Sequence, residues 1–353
     1  MDLTFLLDHL SEPALAALCG LLVGAVFGFA AERSSFCLRA AVVEFARGSL
    51  GSRVSVWLLT FSTAMIWVQG AQALGLFRAD EARMMAVTGS WSGAAIGGLM
   101  FGAGMVLARG CSGRLLVLAA TGNLRSVVSG LIFAVVAQMA LHGWLAPARE
   151  ALAGLWTTAG GRNQSLLTAL SLPDAAGIVI GLAFALPALV LARRNGIGAS
   201  TLVFASGVGF AVALGWVLTF SLSQQAFDPV SVTSATFSGP SANTLMFFLT
   251  DNPALDFDIG LVPGVFAGAF VSAALKRRLQ FQGFEGEGQM RRSMLGAALM
   301  GFGAMLAGGC AIGAGVTGGS IFVATAWLAL LCMWIGAAIT DLMVDQAGIR
   351  APA

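Results

Sequence analysis

The stretch FGAGMVLARGCSGRLL (residues 101–116) is an apolar helix that is interrupted halfway. Its apolar run reaches Arg109, gives way to Gly-Cys-Ser-Gly at 110–113, and resumes after Arg114. In a bilayer, irregular backbone is tolerated only where it is buried in protein or lines a water-filled cavity, because unpaired N–H and C=O groups are costly in lipid. The stretch therefore predicts a membrane helix with a break that is buried in protein or faces a water-filled cavity.

The composition of the whole chain is that of an integral membrane protein. Of its 353 residues, 58% are hydrophobic and 10% are charged, and the mean hydropathy is +0.86. Soluble domains carry about 25% charged residues. We therefore expect one membrane domain over residues 1–353. The first residues, MDLTFLLDHLSEP, lack a basic segment and a small-residue cleavage site, so no removable signal peptide is expected.

Several function classes find no support in the sequence. The chain has two histidines and no Cys-x-x-Cys pair, so neither a structural zinc site nor a haem site is expected. It also has no nucleotide-binding motif, which argues against direct coupling to ATP within this chain. We expect no metal, no cofactor and no nucleic-acid partner.

Nine apolar stretches are long enough, or nearly so, to cross a bilayer, which takes about 20 residues. They lie near 14–31, 54–77, 90–108, 126–147, 174–192, 200–221, 259–275, 294–308 and 321–342. The longest polar connection, 222–258, contains TLMFFL (244–249), which is interpreted as an extra interfacial helix. The predicted fold class is an all-α polytopic membrane protein of about nine transmembrane helices with re-entrant loops and half-helices, which are helices too short to cross.

The positive charges are distributed unequally between the two sides of this arrangement. Nine crossings place Arg78, Arg83, Arg149 and Arg162 on the side of the N-terminus and the other fifteen of the nineteen basic residues on the opposite side. Discounting Arg33, Arg39, Arg109 and Arg114, which could lie within the membrane domain, leaves the same bias. Since cytoplasmic loops carry the Lys/Arg excess, the N-terminus is predicted outside and the C-terminus inside.

The interrupted segment recurs along the chain. GGLMFGAGMVLARGC (97–111) and GAALMGFGAMLAGGC (296–310) match at seven of fifteen positions, and VGAVFGFAAERSSFC (23–37) is a weaker copy. In all three a glycine precedes the cysteine by nine residues. Glycine- and alanine-rich helices can align by chance, but the shared cysteine argues against chance. Small residues four apart, such as Gly24 and Gly28, allow close helix packing.

A short apolar run follows each cysteine, and helix–turn–half-helix is a pattern with which transporters line a site at membrane depth. Half-helix N-termini attract anions, and Ser34 or Ser35, and Ser112, are predicted as their N-caps. The residues expected to form an anion site with sulfur chemistry are Cys37, Cys111 and Cys310, supported by Arg39, Gly110, Ser112, Gly113, Arg114 and Gly309. The alternative is that a free cysteine is a small buried hydrophobe, which is our interpretation of Cys19 and Cys332.

The segments FGFAAERSSFCLRAA (27–41), GMVLARGCSGRLLVLAATGNLRS (104–126) and GFGAMLAGGCAIGAGVTGGS (301–320) resemble the three cysteine loops of the YeeE/YedE family of sulfur-compound transporters. GW (215–216) and TFSGP (236–240) resemble later segments of that family, so the resemblance spans about residues 20–342. It implies a bacterial inner-membrane fold of pseudo-symmetric halves (about 14–147 and 174–342) that resemble an inverted repeat. It also implies that thiosulfate passes along Cys37, Cys111 and Cys310. No fourth cysteine loop is evident near LARRNGIGAS (191–200).

Two functions of different classes remain open at this stage. The first is a thiosulfate transporter in which the cysteines form a non-covalent relay, with a cytoplasmic sulfur-carrier protein as the expected partner; another sulfur or selenium oxyanion could replace thiosulfate. The second is a membrane thiol oxidoreductase or sulfurtransferase. Thiol exchange favours a neighbouring resolving cysteine, whereas these cysteines are 74 and 199 residues apart. A structural subunit that requires a partner is a third interpretation.

Overall fold

The computed structural model describes residues 9–173, 175–251, 254–283 and 286–346, and these residues form helices, turns and three isolated bridge pairs. The longer helices are α1 (Glu12–Ser34), α2 (Leu38–Ala46), α3 (Ser52–Ala73), α4 (Trp91–Leu107), α5 (Ser112–Ala120), α6 (Leu124–His142), α7 (Ala146–Gly154), α8 (Ala176–Arg194), α9 (Ala199–Ser223), α10 (Gly239–Phe247), α11 (Phe257–Leu275), α12 (Glu287–Leu306) and α13 (Ala324–Thr340). Two segments are π-helical, Ala311–Gly318 and Asp341–Gln346, and the short helices are Ala79–Glu81, Arg83–Ala86, Ala159–Gly161 and Leu166–Ala169.

Nine of the helical segments in the described part of the chain are long and apolar enough to cross a membrane. Each overlaps one of the nine predicted stretches, and three of them, Glu12–Ala46, Trp91–Ala120 and Glu287–Gly318, include a short helix after a break. The predicted number of crossings is confirmed. The chain is an all-α, multi-pass membrane protein.

The connections between helices gather at two ends of the bundle. We call one end the N face; it is formed by the start of α1 and by residues 74–90, 143–165, 226–233 and 319–323. The Arg83 N–H donates to the Val232 carbonyl, and Ser165 bridges to Val323. The other end, the C face, is formed by residues 47–51, 121–123, 195–198 and 276–283. There Asn123 bridges to Gln282, and the Asn195 side chain donates to the Leu50 carbonyl.

Glycines set the distance between the helices. The glycine nine residues before each cysteine touches the backbone of another helix, so that an added Cβ would overlap a carbonyl of α11, α13 or α6. These three are Gly28, Gly102 and Gly301. The helices α1 and α11 form the most extensive pair, and both contribute glycines at a spacing of four. Close packing, with small residues at the contact, holds the long helices around the three breaks.

Candidate functional site

The three long helices that precede the cysteines end in the same backbone turn. The residue two positions before each cysteine has a left-handed conformation: Ser35 (φ 54°), Arg109 (φ 58°) and Gly308 (φ 76°). The next residue donates its N–H to the carbonyl five positions earlier, at 3.2, 3.0 and 2.9 Å; these pairs are Phe36 to Ala31, Gly110 to Met105 and Gly309 to Ala304. This bond is the mark of a Schellman motif, which satisfies carbonyls at a helix C-terminus. The breaks are therefore hydrogen-bonded turns and can exist at membrane depth.

Each cysteine occupies the N-cap position of the short helix that follows its turn. Cys37, Cys111 and Cys310 have extended backbones and precede α2, α5 and the π-helical segment Ala311–Gly318. The prediction of serine caps is wrong. Ser35 instead forms the left-handed turn that ends α1, and Ser112 is the first helical residue of α5. The thiols thus lie at the positive ends of three short helices, where a helix attracts anions.

The first two cysteines meet although they are far apart in sequence. The Cys37 and Cys111 thiols are close enough in space to interact directly. Cys111 is buried and Cys37 is half-buried. The half-buried side chains of Arg39 and Arg114 lie close enough to Cys37 for their charges to act on its sulfur. This pair, on half-helices that end at the C face, is the positively charged part of the candidate site.

The third cysteine comes from the N face and is held by backbone donors. The Cys310 sulfur accepts N–H groups from Gly313 at 3.4 Å and from Phe237 at 3.3 Å, and it is fully buried. Thr236 Oγ1 lies 4.0 Å from the same sulfur. Cys310 is close enough to Cys111 for a direct electrostatic interaction. Two backbone N–H groups on one sulfur form a small pocket of positive potential.

The segment that carries Thr236 and Phe237 forms a fourth wall of the site, which the sequence analysis did not predict. It leads into α10, a fourth short helix that begins at Gly239 with Pro240 at its first turn. The predicted interfacial helix at 244–249 overlaps only its end. A Ser-Gly-Pro run is a typical helix start and could have located α10. The segment TFSGP (236–240) resembles the transporter family, but without a cysteine it is not predicted to belong to the site.

A buried hydroxyl at the start of α5 has no hydrogen-bond partner. Ser112 is 3% exposed, and its Oγ neither donates nor accepts within the described structure. Its chain neighbours Cys111 and Gly113 line a gap that is too narrow to hold a water molecule; the other lining residues are Phe27, Ala31, Phe36, Arg114, Val117 and Ile312. None of these lining residues carries a carboxylate. Buried polar groups are rarely left unpaired, so this hydroxyl is a candidate donor for a bound molecule.

The two glycines that directly precede a cysteine differ in their environment. A Cβ on Gly309 would lie 2.6 Å from the Ala314 backbone nitrogen, so only glycine fits there. A Cβ on Gly110 would make ordinary contacts with Leu115 and Arg114. The absence of a side chain at Gly309 therefore allows the π-helical segment to pack closely against the preceding turn. Packing does not require a glycine at position 110.

The remaining cysteines lie outside the group. Cys19 and Cys332 are buried within the unbroken helices α1 and α13. Arg109 is exposed at the end of α4. The arrangement as a whole offers thiols, half-helix N-termini, a hydroxyl and guanidinium groups, which together suit an anion that contains sulfur.

Comparison with known proteins agrees with this chemistry. Residues 33–339, from the end of α1 to the end of α13, match the family described as "Sulphur transport". The thiosulfate transporter TsuA of Escherichia coli (strain K12) is 27% identical over 339 residues, covering 90% of this chain and 92% of the relative. The thiosulfate transporter TsuA of Spirochaeta thermophila is 26% identical over 335 residues, covering 90% and 96%. All three cysteine-capped short helices fall within the family match, and the chain belongs to the sulphur transport family, whose YeeE/YedE members its cysteine loops resemble.

Proposed function

We propose that this protein takes up thiosulfate and passes the anion from Cys310 to Cys111 and Cys37. The family makes the chain a transporter of sulfur compounds and not an enzyme. The observation that carries the proposal is that three thiols cap three short helices and that Cys111, which precedes the unpartnered Ser112 hydroxyl, interacts with both other thiols. The names of the two relatives point to thiosulfate among the sulfur anions.

The site offers a different donor to each end of thiosulfate, which is a dianion with three oxygens and one soft terminal sulfur. The first N–H groups of α5, the Ser112 hydroxyl and Arg114 replace water around the oxygens. The thiols offer weak S–H donors to the terminal sulfur. Conduction needs several sites that bind moderately and release readily. Three weak thiol positions in series meet that requirement.

We infer the orientation of the protein in the membrane from the distribution of its positive charges. The N face carries Arg78, Arg83, Arg149 and Arg162, whereas the C face carries most of the basic residues. We assign the N face to the periplasm and the C face, with the C-terminus, to the cytoplasm of a bacterial inner membrane. The sulfur-carrier protein expected as a partner would act at the C face. Two pseudo-repeats, about 14–147 and 174–342, supply half-helices from opposite faces.

The proximity of Cys37 and Cys111 also permits a covalent alternative: one thiolate attacks the terminal sulfur of thiosulfate, the S–S bond of thiosulfate breaks, sulfite leaves and a persulfide forms; attack by the second thiol on this persulfide then gives a disulfide and releases hydrosulfide. A non-covalent relay leaves both thiols reduced. Mass spectrometry of protein quenched during uptake separates the two mechanisms. A Cys37–Cys111 disulfide or a persulfide that rises and falls with turnover would favour the covalent one.

The test of function is uptake of radiolabelled thiosulfate by purified protein in liposomes. We expect uptake without a partner protein, strong competition by unlabelled thiosulfate and weaker competition by sulfate, whose four hard oxygens give the thiols no soft partner. Uptake of sulfate or sulfite in preference to thiosulfate would assign another substrate. Absence of any uptake by folded protein would indicate that a partner is required.

A further inference from the structure

One aromatic residue contacts both the outer thiol, Cys310, and the half-helix that begins after the inner thiol, Cys111. Phe237 is fully buried, and its backbone N–H donates to the Cys310 sulfur at 3.3 Å. Its ring faces the start of α5, where a Cβ on Gly113 would lie 3.1 Å from the ring. Gly113 is two residues after Cys111. A single residue thus contacts the outer thiol with its backbone and the inner half-helix with its ring.

The backbone around Phe237 is fixed on both sides. Ser234 Oγ donates to the Val212 carbonyl at 2.6 Å, and the Ala235 carbonyl accepts from Thr317 at 2.5 Å. The Phe237 carbonyl accepts from Ser241 Oγ at 2.8 Å. With the main chain held in this way, the part of Phe237 that is free to change position is the side chain, by rotation about its own bonds.

The ring packs against another aromatic ring and against a glycine. Its centroid is 4.8 Å from that of Phe27 at an interplanar angle of 60°. The ring also faces Gly113, which has no side chain to press on it. The gap beyond, at Cys111, is too narrow for water. In this conformation the gap therefore has no room for an anion.

We propose that the Phe237 side chain is the gate between the outer thiol, Cys310, and the inner thiols, Cys111 and Cys37. The inference rests on the proposed function, because it adds a moving element to the same path. The ring closes the path to water and small ions at rest and rotates aside when substrate advances. Gly113 is the position that gives the ring room, and a side chain there holds the ring closed.

The test is the accessibility of Cys111 to methanethiosulfonate ethylsulfonate, an anionic, membrane-impermeant thiol reagent. The reagent is added to vesicles that expose the N face, and peptide mass spectrometry follows the modification of each cysteine. If the path is open only in a minor conformation, in which the ring has rotated aside, Phe237→Ala should raise the rate of Cys111 modification by about tenfold or more. Phe270→Ala on α11, where the ring is 51% exposed, is the matched control and should leave the rate at the wild-type value.

A second variant should change the rate of Cys111 modification in the opposite direction, which a general folding defect would not explain. Gly113→Ala should lower both thiosulfate uptake and Cys111 modification, because its methyl group presses on the ring. An unchanged Cys111 rate in folded Phe237→Ala protein would overturn the gate, even if wild-type protein transports thiosulfate. A raised rate in protein that carries no thiosulfate would support the gate and refute the substrate.

Discussion

At the scale of single residues, the site is built by the caps of short helices. Cysteine is an unusual N-cap, since serine, threonine, aspartate and asparagine are preferred for their oxygen acceptors. A sulfur satisfies the first N–H groups poorly and leaves positive potential for a ligand. Ser112, one position further on, adds a buried hydroxyl without a partner. Both features cost the folded protein stability, and under the proposed function anion binding offsets that cost.

The first prediction separates binding from stability at this hydroxyl. Ser112→Ala should raise the KM for thiosulfate several-fold, equivalent to about 1 kcal/mol, because one donor to the anion is lost. It should not lower the unfolding temperature, because no protein hydrogen bond is removed. Thiosulfate uptake in liposomes and thermal unfolding of the purified protein measure the two effects.

Ser129 provides the matched control for that prediction. It is also buried, but its hydroxyl is hydrogen-bonded to Ser293 at 2.8 Å. Ser129→Ala should lower stability and leave the KM unchanged. A Ser112→Ala protein with wild-type uptake, or with the stability loss expected of Ser129→Ala, would show that Ser112 does not contact substrate.

The sequence predicts the positions of the three breaks better than the local roles of the residues around them. Glycines and a cysteine at each break locate Cys37, Cys111 and Cys310, and the apolar periodicity locates the helices around them. The identity of the cap could not be predicted, because it depends on which residue takes the left-handed turn. That residue is serine, arginine or glycine in the three copies. The contact of Cys37 with Cys111 depends on long-range packing, which local patterns do not encode.

At the scale of elements, each half-helix must be held at its far end so that its N-terminus points into the site. For α2 this anchor is an ion pair in which Arg47, just after the helix, donates to Asp341 at 2.8 and 2.9 Å. The Asp341 side chain is fully buried at the end of α13, whereas 38% of the Arg47 side chain is exposed. Removing one partner of a buried pair leaves an uncompensated charge.

The second prediction concerns this anchor. Arg47→Ala should lower the free energy of unfolding by about 2 kcal/mol, less than a fully buried pair because Arg47 is partly in solvent. It should also reduce uptake, since α2 carries Cys37 at its start. Arg291→Ala is the control, because its pair with Glu287 is exposed on both sides. If both variants lower stability equally, the Arg47 ion pair is not a specific anchor.

The fourth short helix shows where element-scale prediction fails. The sequence predicts an interfacial helix at 244–249, but α10 spans Gly239–Phe247 and begins beside Cys310 through Phe237. A prediction based on apolar content selects the Phe- and Leu-rich end of the segment. Its contact with the candidate site is at the polar residues before its start, where Thr236 and Phe237 meet the Cys310 thiol.

At the scale of the whole molecule, the contact between α1 and α11 holds the first break in place. Glycines at 20, 24 and 28 face glycines at 260, 264 and 268, and a Cβ at any of them would overlap the opposite backbone. In lipid, such close packing replaces the hydrophobic effect as the force between helices. The pair thereby positions the turn at Ser35 and the cap at Cys37.

The third prediction tests this contact. Gly24→Val should reduce the amount of folded protein strongly, because its side chain meets the backbone of α11 at Leu261 and Val265. Gly70→Val is the matched control, since this glycine is also within a membrane helix and has open space around its Cβ position. Fluorescence-detected size exclusion of tagged protein measures the folded fraction. Equal yields of the two variants would contradict the packing.

The central claim, a path for thiosulfate along thiols, is tested most directly at Cys111, which is buried between Cys37 and the gap beside Ile312. The measurement is thiosulfate uptake by Cys111→Ala, Cys111→Ser and Cys332→Ala proteins, normalised to folded protein. We predict that both Cys111 variants lose most of the uptake, with serine retaining slightly more because it keeps a donor, and that Cys332→Ala remains near wild type. A packed hydrophobe would give the opposite order, since a buried hydroxyl without a partner is costly. Full uptake in Cys111→Ala would contradict the relay.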